Sequence, residues 1–324
     1  FQAGPHRGPG ADIADTAGQA RARNLRWTIA PAPACNCSII CKIDGDFCGK
    51  SVENRTMNYE LGVIGGGNMA EAIIGAAVRS NFLSAEGIVV SDPSVQRRDK
   101  LNTSLGVTCV ETNEISAACP RVLLAVKPQV MGDVLTEAAQ HVRDDALVIT
   151  IAAGLSTEVF DDKLANRGRI VRVMPNTPML VGEGASAVCA GPRATAKDVA
   201  WTREFFTAGG GLCIEVGEEL MDAVTCVSGS GPAYFFYFIE AMVAAGKAEG
   251  LSAVEALQLA TQTCAGAAKL LAETGEEPAE LRRRVTSPGG TTQRAIEFMD
   301  AAGVKDKIIA AVRACAERSR ELGQ

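Results

Sequence analysis

From Leu61 onward the chain sets short, unbroken apolar runs against longer amphipathic stretches. Leu61-Gly62-Val63-Ile64, Ile88-Val89-Val90, Arg121 to Val126, Leu147 to Ile151 and Ile170 to Val173 have the length of strands and almost no polar face. That is the pattern of strands covered on both sides by helices. Strands alternating with helical stretches such as Glu71-Ala72-Ile73-Ile74-Gly75-Ala76-Ala77-Val78 predict a parallel α/β sheet. After Val216 strand-like runs vanish, and Ala233 to Glu249, Ala253 to Thr274 and Gln293 to Ala302 read as helices punctuated by glycine and proline. These helices are apolar on much of their circumference, more than a small bundle buries by itself, which predicts packing against a second subunit. The alternative is that their apolar faces cover the sheet domain. Residues 1 to 56 sustain neither period and read as an unstructured extension, with Met57 the expected start of the folded chain. The predicted division is therefore 1–57 extension, 58–217 sheet domain and 218–324 helical domain.

The first strand runs into Gly65-Gly66-Gly67-Asn68-Met69-Ala70, a G-x-G-x-x-A at a strand-to-helix junction. Gly65 permits the tight turn, Gly67 lets the backbone approach a pyrophosphate, and the small Ala70 allows close helix-to-strand packing. With a second strand about 20 residues on, this is the context of a Rossmann-type dinucleotide-binding domain. The tip of that second strand ranks the nicotinamide cofactors, because an acid there binds a ribose 2′-hydroxyl and a basic cluster a 2′-phosphate. Ser91-Asp92 supplies the acid and Gln96-Arg97-Arg98 the base; NAD and NADP both remain open. Ligands of open α/β sheets sit at the carboxyl ends of the strands. Lys127-Pro128, Ala152-Ala153-Gly154 and Met174-Pro175-Asn176-Thr177-Pro178 are therefore expected to line the crevice, with Asn176 held in an unusual loop between two prolines.

A second candidate site is Ser287-Pro288-Gly289-Gly290-Thr291-Thr292, which opens the amphipathic stretch Gln293-Arg294-Ala295-Ile296-Glu297-Phe298-Met299. The first amides of a helix have no intrahelical partner and face the positive end of its dipole. With bare glycine backbone beside them they form a cradle for a small carboxylate or phosphate. An ordinary capped helix start is the structural alternative.

Composition narrows the functions. A net charge of −6 lacks the basic stripe that nucleic acid requires. The longest apolar run, Ala233 to Ala245, carries Glu240 and is too short for a membrane span. Only His6 and His141 occur, which leaves little material for histidine triads, histidine zinc sites or a histidine general base. The eleven cysteines are scattered in the manner of reduced, cytoplasmic proteins. Cys35, Cys37, Cys41 and Cys48 match no common zinc spacing, and no metal site is predicted.

Taken in order, GVIGGGNMAEAI, LAVKPQVM, ITIAAG, RVMPNTP, VSGSGPAYFFYFIEAM and ETGEEPAELRRRVTSPGGTTQRAI make residues 58 to 324 resemble pyrroline-5-carboxylate reductase. The resemblance implies a Rossmann NAD(P)-binding domain followed by an all-helical dimerisation domain, in a homodimer that can assemble further as a pentamer of dimers. It implies cofactor contacts at Gly65, Gly66, Gly67, Asn68, Met69, Asp92, Asn113, Ala125, Val126, Lys127, Pro128, Ile151, Ala152 and Ala153. Substrate contacts are implied at Glu183, Ser287, Gly289, Gly290, Thr291 and Thr292, with the Thr292 hydroxyl bonding the ring nitrogen. Arg284, where many relatives carry a smaller polar residue, and Asp92, where a strict NADPH user has serine or threonine, depart from the pattern.

Reducing a cyclic imine asks little of a protein: a hydride donor held against the imine carbon, an anchor for the carboxylate, and a proton at nitrogen. The scarcity of histidine fits, since a hydroxyl such as that of Thr292 suffices to organise the nitrogen. The rival readings are another Rossmann imine or β-hydroxyacid reductase, whose helix-borne lysine or aspartate finds no clear counterpart after Val216, and an inactive nucleotide sensor, which would not need the SPGGTT cradle.

Overall fold

The computed structural model describes residues 59–323. The expected extension, its four cysteines and the expected start at Met57 lie outside the described residues. The sheet half contains β1 (Leu61–Ile64), α1 (Asn68–Arg79), β2 (Ile88–Ser91), α2 (Val95–Leu105), β3 (Thr108–Val110), α3 (Glu114–Ala117), β4 (Arg121–Leu124), α4 (Pro128–Ala138), β5 (Leu147–Thr150), α5 (Thr157–Lys163) and β6 (Arg169–Met174). It closes with β7 (Ala185–Ala190), α6 (Ala196–Thr207) and β8 (Leu212–Glu215). The strand order is β3-β2-β1-β4-β5-β6-β7-β8, so the order reverses between β1 and β4, directly above the glycine loop.

Alternate side chains of each strand enter different cores. Leu61, Val63, Leu123, Ile149 and Val171 pack with Ile73, Ile74 and Phe205 on one face; Ile64, Val122, Leu124, Val148 and Ile170 pack with Met131, Leu135 and Phe160 on the other. Burial on both faces is why these strands read as unbroken apolar runs. Gly62 is required inside β1, because a Cβ there would stand 1.9 Å from the Ser116 carbonyl oxygen. At the amino edge Arg169 grips both oxygens of Asp198 at 2.8 and 2.9 Å, and Asp198 closes a capping box with Thr195 at the start of α6.

The five strands read from the sequence all pair in parallel, and the sheet departs from that only beyond them. β7 runs antiparallel to β6, since the connecting residues 175–184 hold only a 3₁₀ turn, Thr177–Val181, and a parallel return needs a longer crossover. α6 supplies such a crossover, and β8 is again parallel to β7. β4 and β5 also end earlier than expected, at Leu124 and Thr150, so that Ala125, Val126 and Ile151 belong to the edge loops.

The helical half comprises α7 (Met221–Val224), a π-helical turn Thr225–Gly229, α8 (Gly231–Ala248), α9 (Ala253–Thr274), α10 (Pro278–Arg284), α11 (Thr291–Ala301) and α12 (Val304–Leu322). α8 and α9 form a hairpin in which Gly246 allows a close approach to Ala256, and Ser252 with Glu255 closes a capping box at the start of α9. In the single chain Phe235, Phe236, Tyr237 and Phe238 are 60%, 60%, 76% and 49% exposed. Four consecutive residues cover the whole circumference of a helix, so α8 presents apolar surface on every side and not one stripe toward the sheet.

Candidate active site

Gly65 has φ +97°, and a Cβ on it would lie 2.7 Å from Val126 Cγ1 and 3.0 Å from the Ala125 carbonyl. Backbone conformation and close approach thus both demand glycine. Its amide donates to the Ser91 carbonyl at 2.8 Å, which ties the turn to the tip of β2. Gly67 is the N-cap of α1 and supplies no side-chain cap; a Cβ on it would meet nothing within 4 Å. The first-turn amides of α1, starting at Asn68 and Met69, thus follow a bare, unobstructed Gly67 at a helix N-terminus, and this arrangement fits a pyrophosphate.

Asp92 lies beside this loop. Its Oδ2 accepts the Gly66 N–H at 2.8 Å and its Oδ1 the Ser94 N–H at 2.8 Å. Arg97 donates to the Gly66 carbonyl at 2.7 Å and pairs with Glu71 at 3.1 Å, while Arg98 donates to the Asp92 carbonyl at 2.7 Å. The hydrogen bond from Lys100 is the main force that holds the Glu71 carboxyl below its ordinary range, against the effect of burial and with Arg97 assisting. The expected acid and the expected bases are both present, and both arginines are already engaged. Asn113 completes this end: its Oδ1 accepts the Ser91 hydroxyl at 2.7 Å and its Nδ2 donates to Glu137 at 2.8 Å.

The crevice continues along the carboxyl ends of β4 and β5. Ala125 donates to the Ile64 carbonyl at 2.8 Å and Ile151 to the Leu124 carbonyl at 3.2 Å, so Ala125-Val126 and Ile151-Ala152-Ala153 form adjacent edges. Lys127 is the exposed N-cap of α4, with Pro128 at its first position. Gly154, at φ +82°, lies against Leu322 and Gly323, so the end of α12 rests on the β5 edge. Asn176, 7% exposed, donates to the Ser228 carbonyl at 3.1 Å and accepts the Ala185 amide at 2.9 Å.

The structure does not gather every expected residue. Glu183 is exposed, in the turn after a left-handed Gly182. The Ser287–Thr292 turn forms as expected, with Gly289 at φ +69° and Gly290 as the N-cap of α11, unaided by a side chain. Thr292 is thus the second helical residue and not the cap. The Gly289 amide donates to Gln293 Oε1 at 2.6 Å. α11 packs chiefly on α12, so within one chain the turn is carried by the helical half and not by the sheet. Arg284 pairs with Glu276 at 2.6 Å and Glu280 at 3.3 Å, which points it along its own helix.

One group escapes sequence reading. Glu218, just after β8, accepts Arg172 Nη1 at 2.9 Å and the Thr157 amide at 3.0 Å, and also bonds the Thr157 hydroxyl. Arg172 is buried in the middle of β6, and its second terminal nitrogen has no partner. The only available signal is a charged residue inside an apolar strand.

A doubly wound sheet with an uncapped glycine loop at its switch point defines a dinucleotide-binding protein of Rossmann type. Family comparison sharpens this. The model described as "Pyrroline-5-carboxylate reductase dimerisation" matches residues 218–322, and that described as "NADP oxidoreductase coenzyme F420-dependent" matches residues 60–154. Pyrroline-5-carboxylate reductase of Methanosarcina acetivorans is 40% identical over 268 residues, 82% of this chain and 99% of that protein. The Synechocystis enzyme is 42% identical over 269 residues, 83% of this chain and 100% of that protein. The crystal structure of Plasmodium falciparum pyrroline carboxylate reductase with NADP bound matches with TM-score 0.75 and 30% identity, over 83% of this chain and 99% of that one. The chain belongs to the pyrroline-5-carboxylate reductase family.

Proposed function

We propose that this protein reduces the ring imine of 1-pyrroline-5-carboxylate to L-proline with NAD(P)H, the last step of proline biosynthesis. The observation that carries the reading is that a member of this family, whose residues 60–154 match an NADP-oxidoreductase model, combines an uncapped helix start at Gly67, where an added Cβ meets no protein atom, with an uncapped start at Gly290 preceded by the left-handed Gly289. One start suits a pyrophosphate and the other a small carboxylate.

The reduced nicotinamide supplies the hydride when bound. Gly65 to Met69 hold the pyrophosphate, Asp92 and Asn113 the adenosine end, and Ala125 to Pro128 with Ile151 to Ala153 border the nicotinamide end. Ser287, Gly289, Gly290 and Thr291 hold the substrate carboxylate, with Glu183 on the substrate side. The Thr292 hydroxyl bonds the ring nitrogen and keeps a proton there as the imine carbon is reduced. No general base is needed, which accords with a chain of two histidines.

The division at residues 217/218 is supported by the match of the dimerisation model to 218–322. The exposed apolar circumference of α8 supports a homodimer, and a pentamer of dimers is the larger assembly proposed. Because the Ser287–Thr292 turn rides on α11 and α12, assembly is the route by which it meets a nicotinamide edge. No helix among the described residues is long and apolar enough to cross a membrane, and the described cysteines are free thiols; a cytoplasmic setting is proposed. Purified protein should oxidise NADPH or NADH in the presence of pyrroline-5-carboxylate and not of open-chain 2-keto or 3-hydroxy acids. Equal turnover of the open-chain acids would move the assignment to the β-hydroxyacid reductases.

A further inference from the structure

The junction between the sheet and the helical half contains a missing hydrogen-bond donor and its replacement. In a regular helix the Ser228 carbonyl would accept the amide four residues on. That residue is Pro232, which has no N–H. The next amide, on Ala233, is spent on the Ser230 carbonyl at 3.0 Å, and the Ser230 amide closes the π turn on Thr225 at 2.8 Å. The Ser228 carbonyl therefore receives neither the α-helical amide four residues on nor the amide of Ala233 five residues on. The side chain of Asn176, from the loop after β6, supplies the donor at 3.1 Å. Its orientation is fixed, because the Ala185 amide can only donate and so takes Oδ1 at 2.9 Å, leaving Nδ2 for Ser228. The same turn lies against the Met174 side chain at the end of β6, in the space left by Gly229.

π turns are rare and frequently lie at functional sites, and here the turn is one of the places where the helical half meets the sheet. α12 packs on it, with Cys315 bonded to Ser230 at 3.3 Å and Ser319 to Asp222 at 2.6 Å. α12 also carries α11 and rests its last turn on Gly154. We infer that Asn176 is a positioning residue for imine reduction: by replacing the donor that Pro232 removes, it holds the π turn, and with it the helical half that carries the Ser287–Thr292 turn, in a fixed orientation on the sheet, so that on assembly the turn meets a nicotinamide edge at the right distance. Hydride transfer needs reacting atoms about 3–3.5 Å apart, and a misplacement of roughly 1 Å costs on the order of a hundredfold. A hydrogen bond remote from the substrate can thus govern kcat.

The inference rests on the proposed reduction, and wild-type turnover of pyrroline-5-carboxylate by the full chain is measured first; its absence would remove that reading before the variants are compared. Asn176→Asp keeps the acceptor for Ala185 and loses the donor for Ser228. With wild-type turnover in hand, this variant should lose about 10- to 100-fold in kcat, while NADPH affinity, read by fluorescence titration, stays within about threefold. Adding Pro232→Ala returns a backbone N–H four residues after Ser228, and the double variant should recover several-fold in kcat over Asn176→Asp. A purely structural role would lower the melting temperature of Asn176→Asp and leave the kcat of folded protein within about twofold of wild type; that result, or a double variant with no recovery, overturns the inference. If Asn176→Asp does not fold, Asn176→Gln, with its amide one methylene further out, takes its place: reduced kcat with retained cofactor affinity supports the inference, and unchanged kcat overturns it.

Discussion

The amide of Gly66, inside the glycine loop, donates to the carboxylate of Asp92 at the tip of the second strand, at 2.8 Å. With its other oxygen on Ser94, the acid is fixed beside the glycine loop; at the proposed adenosine end each oxygen would keep a lone pair for a ribose hydroxyl and the charge would oppose a 2′-phosphate. Replacing it by the smaller hydroxyl should therefore favour the phosphorylated cofactor. Asp92→Ser is expected to raise the ratio of kcat/KM for NADPH over NADH by about tenfold or more, the effect of roughly 1.4 kcal/mol. An unchanged ratio would show that the ribose is read elsewhere.

Gly65 is constrained twice, by its positive φ and by Val126 and Ala125 at 2.7 and 3.0 Å from an added Cβ. Gly65→Ala should strain the loop by on the order of 1–3 kcal/mol and weaken NADPH binding at least tenfold by fluorescence titration. Gly67→Ala should cost less stability, because a Cβ there meets no protein atom, and should weaken cofactor binding by intruding on the ligand. Retained affinity in both variants would contradict the placement of the pyrophosphate.

Thr292 is not the cap of α11, so Thr292→Val should leave the melting temperature nearly unchanged. Loss of a hydrogen bond to a charged nitrogen is worth about 1.5–3 kcal/mol, and kcat/KM should fall by a factor on the order of 10 to 100. Unaltered kinetics would leave the nitrogen to water alone.

Acid should weaken the amino edge of the sheet through Asp198. Burial acts to raise the pKa of this carboxyl, but hydrogen bonds from Arg169 and Thr195 outweigh it and hold the group below its ordinary value of 3.8. A depressed carboxyl contributes its full stabilisation above the unfolded value and loses it as pH falls through the folded one. Relative to Asp198→Asn, wild type should therefore be the more stable near neutrality, and the difference should shrink as pH falls below about 4. A difference that grows in acid has the wrong sign and would rule out this account.

Much of this was legible from the sequence, and the limits have physical causes. Gly65 and the β1 run announce themselves because a tight strand-to-helix turn admits few residues, and Gly289 because the turn before α11 needs a positive φ. The π turn at Thr225–Gly229 could not be read, since Pro232 signals only a lost N–H, and the side chain that bonds the Ser228 carbonyl, Asn176, lies 52 residues away in the chain. The reversal of β7 depends on a connection too short for a helix, and a parallel and an antiparallel strand carry the same apolar run. Glu218 resembles any other acid until Arg172 is seen buried beside it.

The most direct test follows the hydride. With NADPH or NADH carrying deuterium at the transferable C4 position, wild-type protein and pyrroline-5-carboxylate should give L-proline with one deuterium at ring carbon C5, one molecule per cofactor oxidised. Proline without label, or cofactor oxidation without proline, would contradict the assignment of this chain as an imine reductase.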